Sequence, residues 1–554
     1  MMKRVRSRVL IPAGTVVLLV AAGFSALQDE LLMKLYRGID LFGKVYKEVA
    51  TNYVDEIDPD KFMKAGINGM LKTLDPYTIY IDDRDHGEID LVTTGKYGGV
   101  GITVGIRDGA ITVVGLMEGF SAAKYGLRIG DRLVAIDSVS LAGKSFDEVR
   151  GLVRGEPGSE VRMTIEREGE SGPLEFVLLR EEIPVRNVSY AGMVEEGIGY
   201  IRLERFSRTA GEDVRQALKG LLDRGTVRGI VLDLRNNPGG LLDMAVEVAS
   251  KFLPESSLVV STRGRRADSE RRYRTTGKPL APELPLAVLV DRGTASASEI
   301  VAGAIQDLDR GVIVGSRTFG KGLIQTIIRV SETTSLKITT GRYYTPSGRS
   351  IQEIDYFHRK DNGEVRILPD SLRREFRTIH NRSVYEAGGI RPDTLVEPPA
   401  QSALAAALMD KAMFFKFANR YALTHSMLEP GFTVTPELYR EFKAFVHSRG
   451  FTLKEEARQR LEDVKQAAGK AGYGKDVLDH IQRLEQLIER EQERAFERHE
   501  EEVKRLLALE IIGRIAGERQ QIVASLKDDP QLAVAVNLVK GRRMYNQILS
   551  GTGR

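Results

Sequence analysis

The sequence predicts a multidomain α/β protein, and three changes of texture along its 554 residues carry that expectation. Between about 93 and 182, short β-branched runs are punctuated by glycine, the pattern of a small barrel-like β domain. Between about 199 and 351, apolar strands alternate with helical segments at the spacing of strand–turn–helix units, which indicates an α/β layer with crossover connections. Beyond about 401 the chain becomes helical and charged with both signs interspersed, a bundle with solvated faces rather than a nucleic-acid arm. Composition agrees: 42% apolar and 29% charged residues describe a globular chain, and a net charge of +4 demands no nucleic acid. With no cysteine, thiol nucleophiles, disulfides, thiolate zinc sites and iron–sulfur clusters are excluded.

Taken in order, Lys3, Arg4, Arg6 and Arg8 precede an apolar run from Val9 to Phe24. That run is shorter than the about 20 residues of a comfortable span. Residues 1–28 therefore read as an export signal or an amino-terminal membrane anchor, placing the rest outside the cytoplasm. Region 29–92 is helical, with one stripe of Leu31, Leu35, Ile39, Phe42, Val45, Tyr46 and Val49 and a second of Phe62, Ile67, Met70 and Leu71. Such stripes indicate core packing or a subunit contact. Asp75-Pro76 ends the helical stretch, which runs from about Leu31 to Leu74. In the β domain, 93–182, strands are expected from Val100 to Ile106, Ala110 to Val114, Arg132 to Ile136, Val161 to Arg167 and Leu174 to Leu179. Two short helices, Ala122 to Tyr125 and Phe146 to Val153, complete it. In the α/β region, 183–400, the strand Gly229 to Leu234 precedes a helix from Leu241 to Phe252, and Leu286 to Asp291 precedes one from Ser296 to Leu308. Residues 353–388 read as an insertion. The tail, 401–554, carries Leu461, Val477, Ile481, Leu484, Leu487 and Ile488 at helix-face spacing.

None of the seven histidines falls between Gly199 and Ile351, so a Ser–His–acid triad would need a histidine from an insertion or tail. No clustered His/carboxylate spacing appears, and no metal or other cofactor is expected. Three loops stand out. Asp291 to Ile300 follows an apolar strand and opens a helix, where free N–H groups favour developing negative charge. By itself that loop reads as a Ser/Thr helix cap, and it leaves the choice between Ser296 and Ser298 open. Gly315 to Gly322 fits G-x-x-x-x-G-K of a phosphate loop. Gly322 replaces the required Ser/Thr, however, and a β-branched stretch follows instead of a helix, so nucleotide binding fails. What remains is Lys321, a surface charge or, if shielded, a general base. Asp233 to Gly240 ends in Pro-Gly-Gly, which exposes backbone N–H groups as an oxyanion hole needs, or is turn chemistry alone.

Together these loops resemble the C-terminal processing (tail-specific) serine peptidases. The resemblance runs from about Leu41 to Pro398 through Leu71 to Tyr77, Tyr97 to Ile102, Asp233 to Gly240, Thr294 to Ile300, Phe319 to Gly322 and Tyr343 to Arg349. It implies a crotonase-like α/β peptidase core with a PDZ domain, an amino-terminal helical segment and a carboxyl-terminal helical extension. It further implies Ser296 as nucleophile, Lys321 as base, Gln325 as the residue orienting the lysine, and an oxyanion hole of the Gly240 and Ala297 N–H groups. Lys321 and Gln325, four apart, would share one side of a strand. The β domain would be the PDZ, holding a peptide's terminal carboxylate at Gly98, Gly99, Val100, Gly101 and Ile102 and its apolar side chain against Val149, Leu152 and Val153, with Arg154 as a relay.

The expected function is thus a serine endopeptidase of the bacterial cell envelope, at the periplasm or the outer face of the inner membrane. Its partners would be proteins with apolar C-terminal tails, a second copy of the chain and an adaptor protein, but no nucleic acid, with membrane contact only through the amino terminus. The competing reading is a catalytically silent PDZ scaffold that binds protein C-termini. Retention of Ser296, Lys321 and Gln325 argues against it, because a scaffold has no physical need for all three.

Overall fold

The computed structural model describes residues 13–82, 94–332, 334–357, 364–367, 369–451, 453 and 456–551. It divides after Tyr80 into two units. The first contains the helices α1 (Ala13–Asn52) and α2 (Pro59–Leu71). Asp58 caps α2 by accepting the N–H groups of Asp60 and Lys61, and Pro59 starts it with a preset φ. Tyr46 stacks on Phe62 at 5.6 Å and donates its hydroxyl to the Pro59 carbonyl at 2.9 Å. Elsewhere on the α1 stripe Leu35, Ile39 and Val45 are 54%, 70% and 52% exposed and join no buried cluster among the described residues. Residues 1–12 of the expected signal or anchor lie outside the described residues, among which no helix is long and apolar enough to cross a membrane.

The second unit begins with the β domain. Its strands β1 (Ile102–Arg107), β2 (Ala110–Leu116), β3 (Arg132–Ile136), β4 (Glu160–Glu166) and β5 (Leu174–Leu179) lie side by side in chain order, all antiparallel. The helices α3 (Ser121–Lys124) and α4 (Phe146–Val153) close it over a core of its own that includes Val113, Leu133, Val149, Met163 and Leu178. Ser145 and Glu148 form the reciprocal cap that starts α4.

The α/β layer follows. Its main sheet aligns β6 (Val188–Glu195), β7 (Ile198–Leu203), β8 (Gly229–Asp233), β10 (Leu286–Val290), β11 (Val312–Gly315) and β14 (Thr394–Leu395), parallel except for β6. A second sheet pairs β13 (Ser335–Tyr344) with β9 (Leu258–Gly264) on one side and β12 (Leu323–Arg329) on another. Because the parallel strands follow chain order, right-handed crossovers put every connecting helix on the same face. There α5 (Ala210–Leu222), α6 (Leu242–Ala249) and α7 (Ala297–Asp307) pack on Leu203, Leu232, Val288 and Ile313. Period-2 alternation turns Tyr200, Val231, Ala287, Leu289 and Val314 to the opposite face, equally apolar.

Covering that face is the work of the chain's last helices. The tail comprises α8 (Ala403–Asp410), α9 (Met413–Ala422), α10 (Pro436–Ser448), α11 (Glu456–Lys470), α12 (Lys475–Arg498), α13 (Glu500–Ile515), α14 (Glu518–Ser525), α15 (Pro530–Lys540) and α16 (Arg542–Leu549). A bundle core of Phe414, Phe417, Phe442, Phe445 and Leu507 joins α9, α10 and α13. The hairpin α11–α12 buries Leu461, Ala468 and Ile481 but leaves Val477, Leu484 and Leu487 exposed. In contrast, Ile522 of α14, Leu532, Val536 and Val539 of α15 and Tyr545 of α16 lie against the bare face of the main sheet. The tail is therefore two things, a bundle and a missing layer of the α/β domain. Within the insertion, Ile354–Asp355 pairs with Arg366–Ile367 and Glu375–Arg377 with Ser383–Tyr385.

This division has a measurable consequence. Leu532→Ala, at a position 4% exposed, is expected to lower unfolding free energy by about 2–5 kcal/mol. Leu487→Ala, at 50% exposure, is expected to change it by less than about 0.5 kcal/mol in the same urea titration.

Candidate active site

The three loops singled out in the sequence meet at the carboxyl end of the main sheet. After β10, Asp291 accepts the N–H groups of Gly293 (2.9 Å) and Thr294 (3.1 Å) and also that of Asn236 (2.9 Å), which ties this loop to the one after β8. Thr294 adds a bond from its hydroxyl to the Leu234 carbonyl at 2.8 Å. Ser296 then takes the N-cap position of α7 at φ 56° and ψ −115°, a left-handed conformation that strains a non-glycine residue. Such a turn lifts a hydroxyl out of the strand-to-helix junction. Ser298 is placed differently: it is fully buried and donates its hydroxyl to the Asn237 carbonyl at 3.0 Å.

The loop after β8 passes directly beside Ser296. A Cβ on Gly239 (φ 94°) would stand 2.7 Å from the Ala297 nitrogen and 2.9 Å from the Ser296 Cβ, so glycine is required. The Gly239 carbonyl accepts from Phe206 N–H, and Leu241 N–H donates to the Phe206 carbonyl. Between them Gly240, at φ 151°, keeps its own N–H uncommitted, as does Ala297: neither has an acceptor among the described residues.

The third loop carries Lys321. It is bound to Ser296 through Glu299, one turn into α7 and fully buried. Glu299 Oε2 accepts Ser296 N–H at 2.8 Å and Lys321 N–H at 2.9 Å, while Oε1 accepts Gly320 N–H at 2.7 Å and the Thr318 hydroxyl at 2.5 Å. From the opposite side, the buried Tyr343 hydroxyl reaches the carbonyl oxygens of Ser296 and Lys321. Gly322 N–H is held by Gln352 Oε1 at 2.7 Å. One carboxylate and one phenol thus clamp the backbones of the expected nucleophile and base together.

One expectation is corrected here. The strand β12 begins at Leu323, so Lys321 stands in the loop ahead of it, and the register of β12 shifts between Ile324 and Gln325. Strand parity therefore does not relate Lys321 to Gln325, whose amide donates to Thr339 Oγ1 at 3.3 Å. Glu299 and Tyr343 were absent from the expected site. The Ser-x-x-Glu spacing of a capping box signalled Glu299, whereas nothing in Arg342-Tyr343-Tyr344 told one tyrosine from the other. Among the described residues no group of acidic or histidine side chains could hold a metal.

The chain also matches known protein families. The sequence model of peptidase family S41 matches residues 197–357, a PDZ domain model 112–167, a model described as a probable PDZ-protease C-terminal helical domain 404–539, and one described as the activating protease CtpB N-terminal domain 26–85. A carboxy-terminal-processing protease of Bartonella bacilliformis is 41% identical over 322 residues, covering 58% of this chain and 74% of the relative. The corresponding protease of a Synechocystis species is 37% identical over 52% of this chain and 68% of its own, and CtpB of Bacillus subtilis is 33% identical over 57% and 66%. The chain belongs to the carboxy-terminal processing proteases. It is a serine-type peptidase with a PDZ domain between its amino-terminal helices and its peptidase core.

In the PDZ domain of this protease the residues expected to bind peptide occupy distinct settings. Gly98 and Gly99 lie in a ribbon, Lys96–Gly99 with Glu181–Pro184, where a Cβ on Gly98 would strike the Gly155 carbonyl at 1.8 Å. Val100 is buried in the PDZ core, Gly101 turns at φ 79°, and Ile102 opens β1 half-buried. On α4, Val149 and Val153 are core residues and Leu152 keeps part of its surface. Arg154 places its guanidinium 4.8 Å above the Tyr97 ring.

Burial pushes the Glu299 carboxyl up to about 7, against the pull of Thr318 and of the Lys321, Gly320 and Ser296 amides. The folded protein therefore retains a proton that the unfolded chain releases near the ordinary value of 4.5, and stability falls as pH rises from there to about 7. Urea midpoints measured across that window are expected to fall in the parent and to lose this component in Glu299→Gln. The same substitution sets an amide N–H against backbone donors, at a cost of about 1–3 kcal/mol, and is expected to reduce cleavage. Ser298→Ala is expected to lose about 1 kcal/mol of stability and to keep its kcat.

Proposed function

We propose that the chain is an endopeptidase that captures protein C-terminal tails with its PDZ domain and cleaves upstream with a Ser296–Lys321 dyad. The observation that carries this reading is the shared Glu299 oxygen, which brings the Ser296 and Lys321 amides to one point beside two uncommitted N–H groups. In the reaction Ser296 Oγ attacks the scissile carbonyl carbon while neutral Lys321 Nζ takes the hydroxyl proton. The tetrahedral oxyanion is received by Gly240 and Ala297 N–H. The lysine ammonium then returns its proton to the departing amine. In the second half, Lys321 deprotonates a water that attacks the acyl ester, and the proton goes back to Ser296 as the ester breaks. Lys321 has to be shielded from water to stay neutral, and Gln325 orients it.

On the PDZ side, a terminal carboxylate binds at Gly98 to Ile102, and an apolar tail residue rests on Leu152 above Val149 and Val153. Arg154, packed on Tyr97, relays occupancy to the peptidase core. The substrates are proteins of the bacterial cell envelope, reached by export through residues 1–28. A second copy of the chain and an adaptor protein are the further partners this reading admits. A silent scaffold would need neither the strained serine nor the clamp on it.

The test is cleavage of an unfolded protein with an apolar C-terminus. Ser296→Ala and Lys321→Ala are each expected to abolish it, with circular dichroism unchanged. Cleavage that survives Ser296→Ala would move the nucleophile elsewhere and overturn the reading.

A further inference from the structure

The loop bearing Gly239 and Gly240 opens with Arg235, whose guanidinium is gripped both by its near neighbour Asp233 and by residues 529 and 531 of the tail. Asp233, at the end of β8, takes Nη2 at 2.6 Å and Nε at 3.0 Å. Asp529 takes Nη2 at 2.6 Å, and Gln531 Oε1 accepts Nη1 at 3.0 Å. The group is enclosed: the side chains of Arg235, Asp233 and Asp529 are 17%, 4% and 12% exposed. Burial alone would raise the Asp233 carboxyl, but Arg235 and the Tyr200 hydroxyl hold it below the usual carboxylate range. Asp529 is also the N-cap of α15, its Oδ1 accepting Leu532 N–H at 2.9 Å. One end of a single carboxylate starts the helix and the other end holds the loop. Gln531 in turn donates to the Val396 carbonyl at 2.7 Å, just past β14.

Little slack separates Arg235 from Gly240. Asn236 is tied to Asp291 at the base of the Ser296 loop, and Asn237 spends its side chain on the Leu203 carbonyl and on Gly239 N–H. Pro238 fixes its own φ. Residues 235–240 thus form a short, closely tied segment beside Ser296.

We propose that Asp529 and Gln531 are positioning residues of the active site, setting the Gly240 loop through Arg235, so that the carboxyl-terminal helix α15 is a working part of the peptidase. The proposal rests on the reading of Gly240 N–H as an oxyanion donor. It gives the last helices a task in catalysis in addition to covering the sheet.

The test compares full-length Asp529→Asn with the parent. Asparagine keeps the cap oxygen and the volume but points an amide at Arg235. The kcat is expected to fall by at least about tenfold with KM little changed, because transition-state geometry is disturbed and substrate capture is not. Affinity for a peptide aldehyde, whose hemiacetal oxygen occupies the oxyanion hole, is expected to fall by the same factor. Asp529→Glu restores part of the loss. Lys540→Gln on the same helix, which breaks only the exposed pair with Glu195, keeps parental kcat. If Asp529→Asn fails to fold, Gln531→Leu carries the same expectation with a loss of about threefold. Parental kcat and aldehyde affinity in a folded variant, with only the melting temperature lowered, would overturn the proposal. Undiminished cleavage by Ser296→Ala would instead overturn the reading beneath it, a separate result.

Discussion

A buried carboxylate is stable only when the groups around it supply enough hydrogen bonds, and Glu299 is supplied by both the Ser296 loop and the Lys321 loop. Its four donors are Ser296 N–H, Lys321 N–H, Gly320 N–H and the Thr318 hydroxyl. The same Thr318 oxygen accepts Ile390 N–H at 2.7 Å, which brings the segment ahead of β14 under the same control. The strained backbone of Ser296 persists because this network, with Tyr343 on its far side, leaves it no alternative.

The α/β layer and the last helices support this clamp. A parallel sheet wound in one direction carries its helices on one face and exposes the other. The chain solves this by returning, after a PDZ-flanked core and a helical bundle, to lay α14, α15 and α16 on the bare side. That return also delivers Asp529 and Gln531 to Arg235. Stability and site geometry are coupled in this way because one helix start serves both.

Much of this was legible in the residues. Arg132–Ile136, Leu174–Leu179 and Phe146–Val153 stand at the expected positions, because short strands and a capped helix are set by local pattern and turn chemistry. The three loops were recognisable because glycine, proline and small hydroxyl residues bunch only where the chain turns sharply. What escaped was non-local. Their four-residue spacing would put Lys321 and Gln325 on one strand face, but the strand starts only at Leu323, after Gly322, and a register shift follows. Tyr343 acts across two loops that are far apart in sequence. The charged tail showed its solvated helices, whereas the apolar segments of α15 and α16 found their partner only in a sheet some 300 residues earlier, as the 296 positions between Arg235 and Gln531 illustrate. The amino-terminal stripe was visible as a stripe, yet its exposure in the single chain could not be read from periodicity.

The buried Glu299 carboxyl draws together Ser296 and Lys321, the proposed nucleophile and base. The most direct measurement of that role is the rate at which a reactive peptide ester acylates the protein, with the acyl group located by mass spectrometry. Acylation is expected at Ser296 in the parent, and markedly slower at that serine in folded Glu299→Gln. Acylation at another residue, or an equal rate in the two proteins, would contradict this expectation.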